Sequence, residues 1–85
     1  MEIPRRREGL HVREVDGETV ILDLECQRMH SLNVTAAFIF DGIDGCRTEK
    51  EIWEELSNCF DIPIETAEED TRALLLQFRQ LGLIA

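Results

Sequence analysis

The sequence is poor in positive charge: nine Lys and Arg stand against 18 Asp and Glu, for a formal net charge of −9. Nucleic-acid binders neutralise phosphates with clustered Lys and Arg, and a chain this acidic repels DNA and RNA at long range. Cysteine is scarce as well. Cys26, Cys46 and Cys59 are odd in number, widely spaced and without a C-x-x-C, which excludes the usual secreted disulfide framework. A zinc site drawn from them with His11 and His30 lacks the paired short spacings such sites need. They read as reduced thiols, partly in the core. No stretch approaches the ~20 apolar residues that span a bilayer. Met1-Glu2-Ile3-Pro4-Arg5-Arg6-Arg7 has basic residues but no apolar stretch behind them. No signal peptide and a cytoplasmic location are therefore expected. Also missing are an internal repeat, a phosphate-cradling glycine loop, a His-x-x-x-His and a Ser/His/Asp set in a recognisable context. No cofactor or membrane partner is implied, and the chain is not expected to be an enzyme.

What remains is one domain. Eighty-five residues, 44% of them hydrophobic, bury a single thin core. Residues 1–9 read as a flexible tail, with Arg5 to Arg7 solvated, and residues 10–85 as the domain. The hydrophobic period changes from two to helical near Asn33. Leu10 to Val15 is an expected strand, and Asp16-Gly17 a tight turn. A second strand runs over Glu18 to Glu25, with Val20, Leu22 and Leu24 on one face and Thr19, Ile21 and Asp23 on the other. That alternation suits a sheet covered mainly on one side. A third strand over Gln27 to Leu32 completes an antiparallel meander with the second strand central and the third at an edge.

Helices follow. Asn33 is a good N-cap for a helix over Val34 to about Ile43, in which Ala36, Ile39, Phe40 and Ile43 face the sheet. Thr48-Glu49-Lys50-Glu51 is a capping box opening a helix that carries Ile52, Trp53 and Leu56 and ends near Cys59. Thr66-Ala67-Glu68-Glu69 reads as a second capping box, opening a helix to Leu81 that Gly82 terminates. The fold class is therefore α+β, a three-stranded antiparallel β-meander followed by three α-helices, with a winged helix-turn-helix character.

The stretch His30-Ser31-Leu32-Asn33-Val34-Thr35-Ala36-Ala37, continuing to Asp44-Gly45, resembles the hallmark of the PqqD-like family: a short strand, Leu-Asn-x-Thr-Ala, a helix with an inner aromatic, then Asp-Gly. The Asp16-Gly17 hairpin, the Thr48 box and the closing Leu81-Gly82-Leu83-Ile84 fall where that family has them, so the resemblance covers Leu10 to Ile84. The chain departs from many relatives in having Phe40 where they have Trp, and no aromatic near Met29 and His30. The resemblance implies a peptide recognition element for ribosomally made, modified peptides. In that family the leader of a precursor peptide adds as a strand to the third strand, in a groove beside the last helix. The domain then presents the peptide to a radical S-adenosylmethionine (SAM) enzyme or another maturation enzyme. A monomer or weak dimer is expected.

Strand addition needs unpaired N–H and C=O groups beside an apolar surface that selects side chains. Gln27, Arg28, Met29, His30 and Ser31 are the candidate edge. On the last helix Thr71, Leu74, Phe78 and Leu81 suit the core face, while Leu75 and Leu76 lie to either side. Leu75 is the stronger candidate to border the groove, and either leucine is alternatively a wider core stripe. Arg72 and Arg79, seven apart, are candidates to pair with acidic side chains of a leader, or, for Arg72, with Glu68 or Glu69 on its own helix. Two other readings compete. A DNA-binding winged helix would need a recognition helix that here opens with Glu68, Glu69 and Asp70, where basic or amide side chains belong. A general adaptor would use the acidic surface to bind a folded basic protein.

Overall fold

A computed structural model describes residues 3–85. The elements are strands β1 (Leu10–Val15), β2 (Glu18–Asp23) and β3 (Arg28–Leu32), followed by helices α1 (Val34–Gly42), α2 (Glu49–Phe60) and α3 (Ile64–Gln80). The strands form one antiparallel sheet in the order β1-β2-β3. The β1–β2 turn places Asp16 at φ 50° and Gly17 at φ 81°. Two successive positive φ values match the right-handed twist of a two-residue hairpin, which is why an Asp-Gly pair stands there.

The second turn shortens both strands it joins. β2 stops at Asp23 instead of Glu25, because the Asp23 carboxylate accepts the Cys26 N–H at 3.2 Å and folds the chain back. Gln27 has φ 54° and belongs to this turn, so β3 begins one residue later than the sequence pattern suggests.

Helix starts follow local side-chain chemistry in two cases out of three. Asn33 accepts the Ala36 N–H at 2.8 Å and caps α1. Thr48 and Glu51 make both halves of the capping box, at 3.2 and 2.9 Å. The expected box at Thr66 does not form. Pro63, at φ −57°, already stands where the helix starts, and its carbonyl accepts the Ala67 N–H at 3.0 Å. Thr66 is thus inside the first turn, and the cap has no side-chain hydrogen bond. At the other end Gly82, at φ 73°, closes a Schellman motif, with Leu83 N–H donating to the Phe78 carbonyl at 2.8 Å and Gly82 N–H to that of Arg79 at 3.0 Å.

The helices cover one face of the sheet. Ile21, Ile39, Phe40, Ile43, Leu56, Leu75 and Leu83 are fully buried in one cluster. Phe40 and Phe78 meet edge to face with ring centroids 5.4 Å apart. The covered face of β2 is the one carrying Thr19, Ile21 and Asp23, not the more apolar one with Val20 and Leu22 that the sequence continues to Leu24. Asp23 is 2% exposed, a position a carboxylate tolerates only when paired. Its partner comes from the N-terminal segment: Arg7 contacts Asp23 and also lies 2.9 Å from Glu25. The Arg7 hydrogen bond, together with the Cys26 N–H, holds the Asp23 carboxyl down at about 2, against the cost of burial.

Arg5 to Arg7 are therefore not a solvated tail. Arg7 N–H donates to the Leu83 carbonyl and Ala85 N–H to the Arg5 carbonyl, both at 2.9 Å, bracketing an antiparallel bridge between Arg6 and Ile84. Arg6 also donates to the Phe40 carbonyl at 2.8 Å and stacks over its ring at 4.3 Å. The cysteines differ from expectation too: all are free and exposed, none in the core. Among the described residues there is no cluster of His, Cys, Asp and Glu that could hold a metal, and no helix long and apolar enough to cross a membrane.

Candidate functional site

Among the described residues the sheet order gives β3 one strand neighbour, β2. The other edge of β3 exposes ladder N–H and C=O groups, an arrangement that proteins ordinarily blunt because it pairs readily with another chain. Met29, the second residue of this edge, is 68% exposed, the most open large hydrophobic among the described residues after Val34. Here the edge faces α3 across a groove of about 380 Å³, whose walls include Met29, His30, Leu74, Gln77, Leu81 and Leu83. No Asp or Glu among the described residues lines it, in a chain with 18 of them.

The register sorts the β3 side chains. Directly opposed residues of an antiparallel pair share a face. Asp23 opposes Arg28, Ile21 opposes His30 and Thr19 opposes Leu32, so these three β3 residues lie on the helix side. Leu22 opposes Met29 and Val20 opposes Ser31, which puts Met29 and Ser31 on the uncovered face. There they border a second depression, of about 410 Å³, with Val15, Val20 and Leu22. The His30 Nε2 is buried and has no hydrogen-bond partner among the described residues.

The structure divides the expected site residues into two groups. Arg28, Met29, His30 and Ser31 come together on the open edge. Gln27 sits in the preceding turn. On α3 the expected contacts face elsewhere. Leu75 is 0% exposed and fully in the core, so it borders no groove. Leu76 is exposed away from the groove walls. Arg72 pairs with Glu68 at 3.1 Å and lies 5.2 Å from the Trp53 ring, and Arg79 reaches Glu49 at 3.4 Å. Both arginines thus turn toward α2. The groove wall is instead Leu74, Gln77 and Leu81, spaced three and four apart along one stripe of the helix. The sequence pattern assigns Leu74 and Leu81 to the core, and nothing in it distinguishes Gln77. Leu74 and Leu75 differ by one residue, about 100° around the helix, and hydrophobicity does not tell them apart.

A three-stranded meander backed by three helices, with an open sheet edge and a groove beside it, defines a small α+β fold that leaves one strand free to pair. The sequence family described as coenzyme PQQ synthesis protein D (PqqD) matches residues 18–84. The chain belongs to that family. Its fold is shared by solved structures. One is a lasso peptide synthetase B1 complexed with the leader peptide, with a TM-score of 0.88, 24% identity and 99% of each chain covered. Another is TbiB1 in complex with the TbiA(beta) leader peptide, at 0.84 and 19% identity, covering 94% of this chain and 93% of that one. A third is the PqqD truncation of Methylobacterium extorquens PqqCD, described as a stand-alone recognition element for ribosomally synthesised, modified peptides. It matches at 0.81 and 24% identity, over 96% of this chain and 87% of that one. Comparison with proteins of curated function finds no match.

Proposed function

We propose that this protein is a non-catalytic carrier that binds the leader of a ribosomally made precursor peptide by strand addition to β3. It then holds the peptide for a separate modifying enzyme, a radical SAM enzyme being the leading class. The observation that carries this is a β3 edge that no strand of the described residues pairs, lying beside a partly apolar groove that none of their carboxylates lines. A leader strand on that edge gains main-chain hydrogen bonds from β3, and its alternate side chains enter the groove against Leu74 and Leu81. The fold shared with two structures solved in complex with leader peptides supports leader binding. The acidic opening of α3, with Glu65, Glu68, Glu69 and Asp70, disfavours the winged-helix reading because phosphates would meet carboxylates.

The test is an N-methylation scan of a binding leader, monitored by amide shifts of the labelled protein. Methylating a strand amide removes one ladder donor, and donors facing β3 alternate along the peptide. Binding should fall at every second position, with shifts centred on residues 28–32. A scan without that period of two overturns strand addition.

A further inference from the structure

The β3 edge presents a different chemistry at each helix-side position. Arg28 takes part in none of the ion pairs among the described residues. Asp23, opposite it, is already engaged by Arg7, and Arg7 is shared with Glu25, so the nearby carboxylates have their cation. Two residues on, His30 is half-buried and its Nε2 is enclosed without a hydrogen-bond partner among the described residues. A buried polar atom left unpaired costs free energy that a ligand group able to reach it recovers. Two residues further, Leu32 is half-buried and packs against the core cluster. An added strand has the same two-residue period, so its own alternate side chains fall beside Arg28, His30 and Leu32 in turn.

We propose that this edge selects a leader segment of alternating chemistry: a carboxylate beside Arg28, a neutral hydrogen-bonding side chain beside His30, and an apolar side chain beside Leu32. This rests on strand addition to β3 and adds what the strand must carry. The charge distribution supports it, because Arg28 is in no ion pair among the described residues and the chain is strongly acidic. An acidic leader residue therefore finds a cation outside any ion pair at this edge and is repelled over much of the remaining surface.

The probe is a set of synthetic extended peptides of about nine residues, a length matched to a short strand plus flanks. They have a Thr/Val host sequence, and three alternate positions are varied: Glu, Gln or Lys at the first, Asn or Leu at the second, Leu or Asp at the third. Both chain directions are included. Affinities are read by fluorescence anisotropy, and the binding segment by amide shifts of the labelled protein. Glu at the first position should bind about two- to fivefold more tightly than Lys, the size of one cross-strand ion pair. Arg28→Glu should reverse that order, and His30→Leu should remove the preference for Asn over Leu at the second position. A charge order unchanged by Arg28→Glu, in peptides that still shift residues 28–32, overturns the code while leaving strand addition intact. If none of the peptides shifts residues 28–32, strand addition falls and the code falls with it.

Discussion

Leu74 and Leu75 are adjacent and chemically identical, yet they have different tasks, so truncating each one separately tests the geometry of the site. Leu75 has no exposed surface and sits in the main cluster. Leu75→Ala removes buried methyl and methylene groups and leaves a cavity, at a cost of about 3 kcal/mol within a general range of about 2–5. A domain of this size typically has about 4–13 kcal/mol of stability in all, so the variant should still fold at low temperature. At about 4–8 °C per kcal/mol, Tm should fall by about 12–24 °C. Leader affinity measured well below the new Tm should be unchanged. Leu74, half-buried in the groove wall, should behave the opposite way. Leu74→Ala should cost about 1 kcal/mol of stability or less, because its side chain is only partly covered. It should also weaken a binding leader about fivefold, since the complex then forgoes about 1 kcal/mol of apolar burial. Thermal unfolding by circular dichroism and leader titration by anisotropy give the two readouts. If Leu75→Ala loses leader binding while keeping its Tm, the assignment of α3 faces is wrong.

Further outcomes follow from the same structure. Arg72→Ala and Arg79→Ala should leave leader affinity within about twofold, since both side chains face α2 and exposed ion pairs contribute little; a larger drop in the titration would return these arginines to the site. Asn33→Ala should lower stability by about 1 kcal/mol in denaturant unfolding through loss of the α1 cap, whereas Thr66→Ala, at a cap that is not formed, should cost less than half as much. The Asp23 carboxyl is held at about 2, below its ordinary 3.8. A depressed carboxylate stabilises the fold fully above its unfolded pKa and loses that contribution as pH falls through the folded value. Stability should therefore be flat with respect to this group above about pH 4 and drop between about pH 4 and 2. In an acid-unfolding series the Asp23→Asn variant should start less stable and show a smaller fall over that window.

The elements that local chemistry writes were legible in the sequence, and those that depend on remote partners were not. Asp16-Gly17 specifies its turn, because few residue pairs tolerate two positive φ values in succession. Asn33 and the Thr48–Glu51 pair specify their helix starts, since donor and acceptor lie three residues apart in the chain. The meander, the three helices and the open third strand all follow from period, turns and caps. Where two local signals compete, the outcome is harder to read. Thr66 and Pro63 both mark a helix start, and the proline, three residues earlier, prevails.

The burial of Asp23 is beyond any local pattern, because it depends on Arg7, sixteen residues away and in a segment that itself has no periodicity. That one ion pair helps turn the β2 face with Ile21 and Asp23 toward the helices, and the backbone bonds to Leu83 and Ala85 make the N-terminal arginines part of the domain. The same holds at the groove. Sequence alone determined that β3 is an edge and that α3 has more apolar residues than one stripe needs. Only the packing of α3 against α2 and α1 decided that Leu75 enters the core, that Leu74 and Leu81 form the groove wall, and that Arg72 and Arg79 turn away from it. A helix rotated by one residue would bury the same hydrophobicity, and what selects among rotations is the shape of its neighbours.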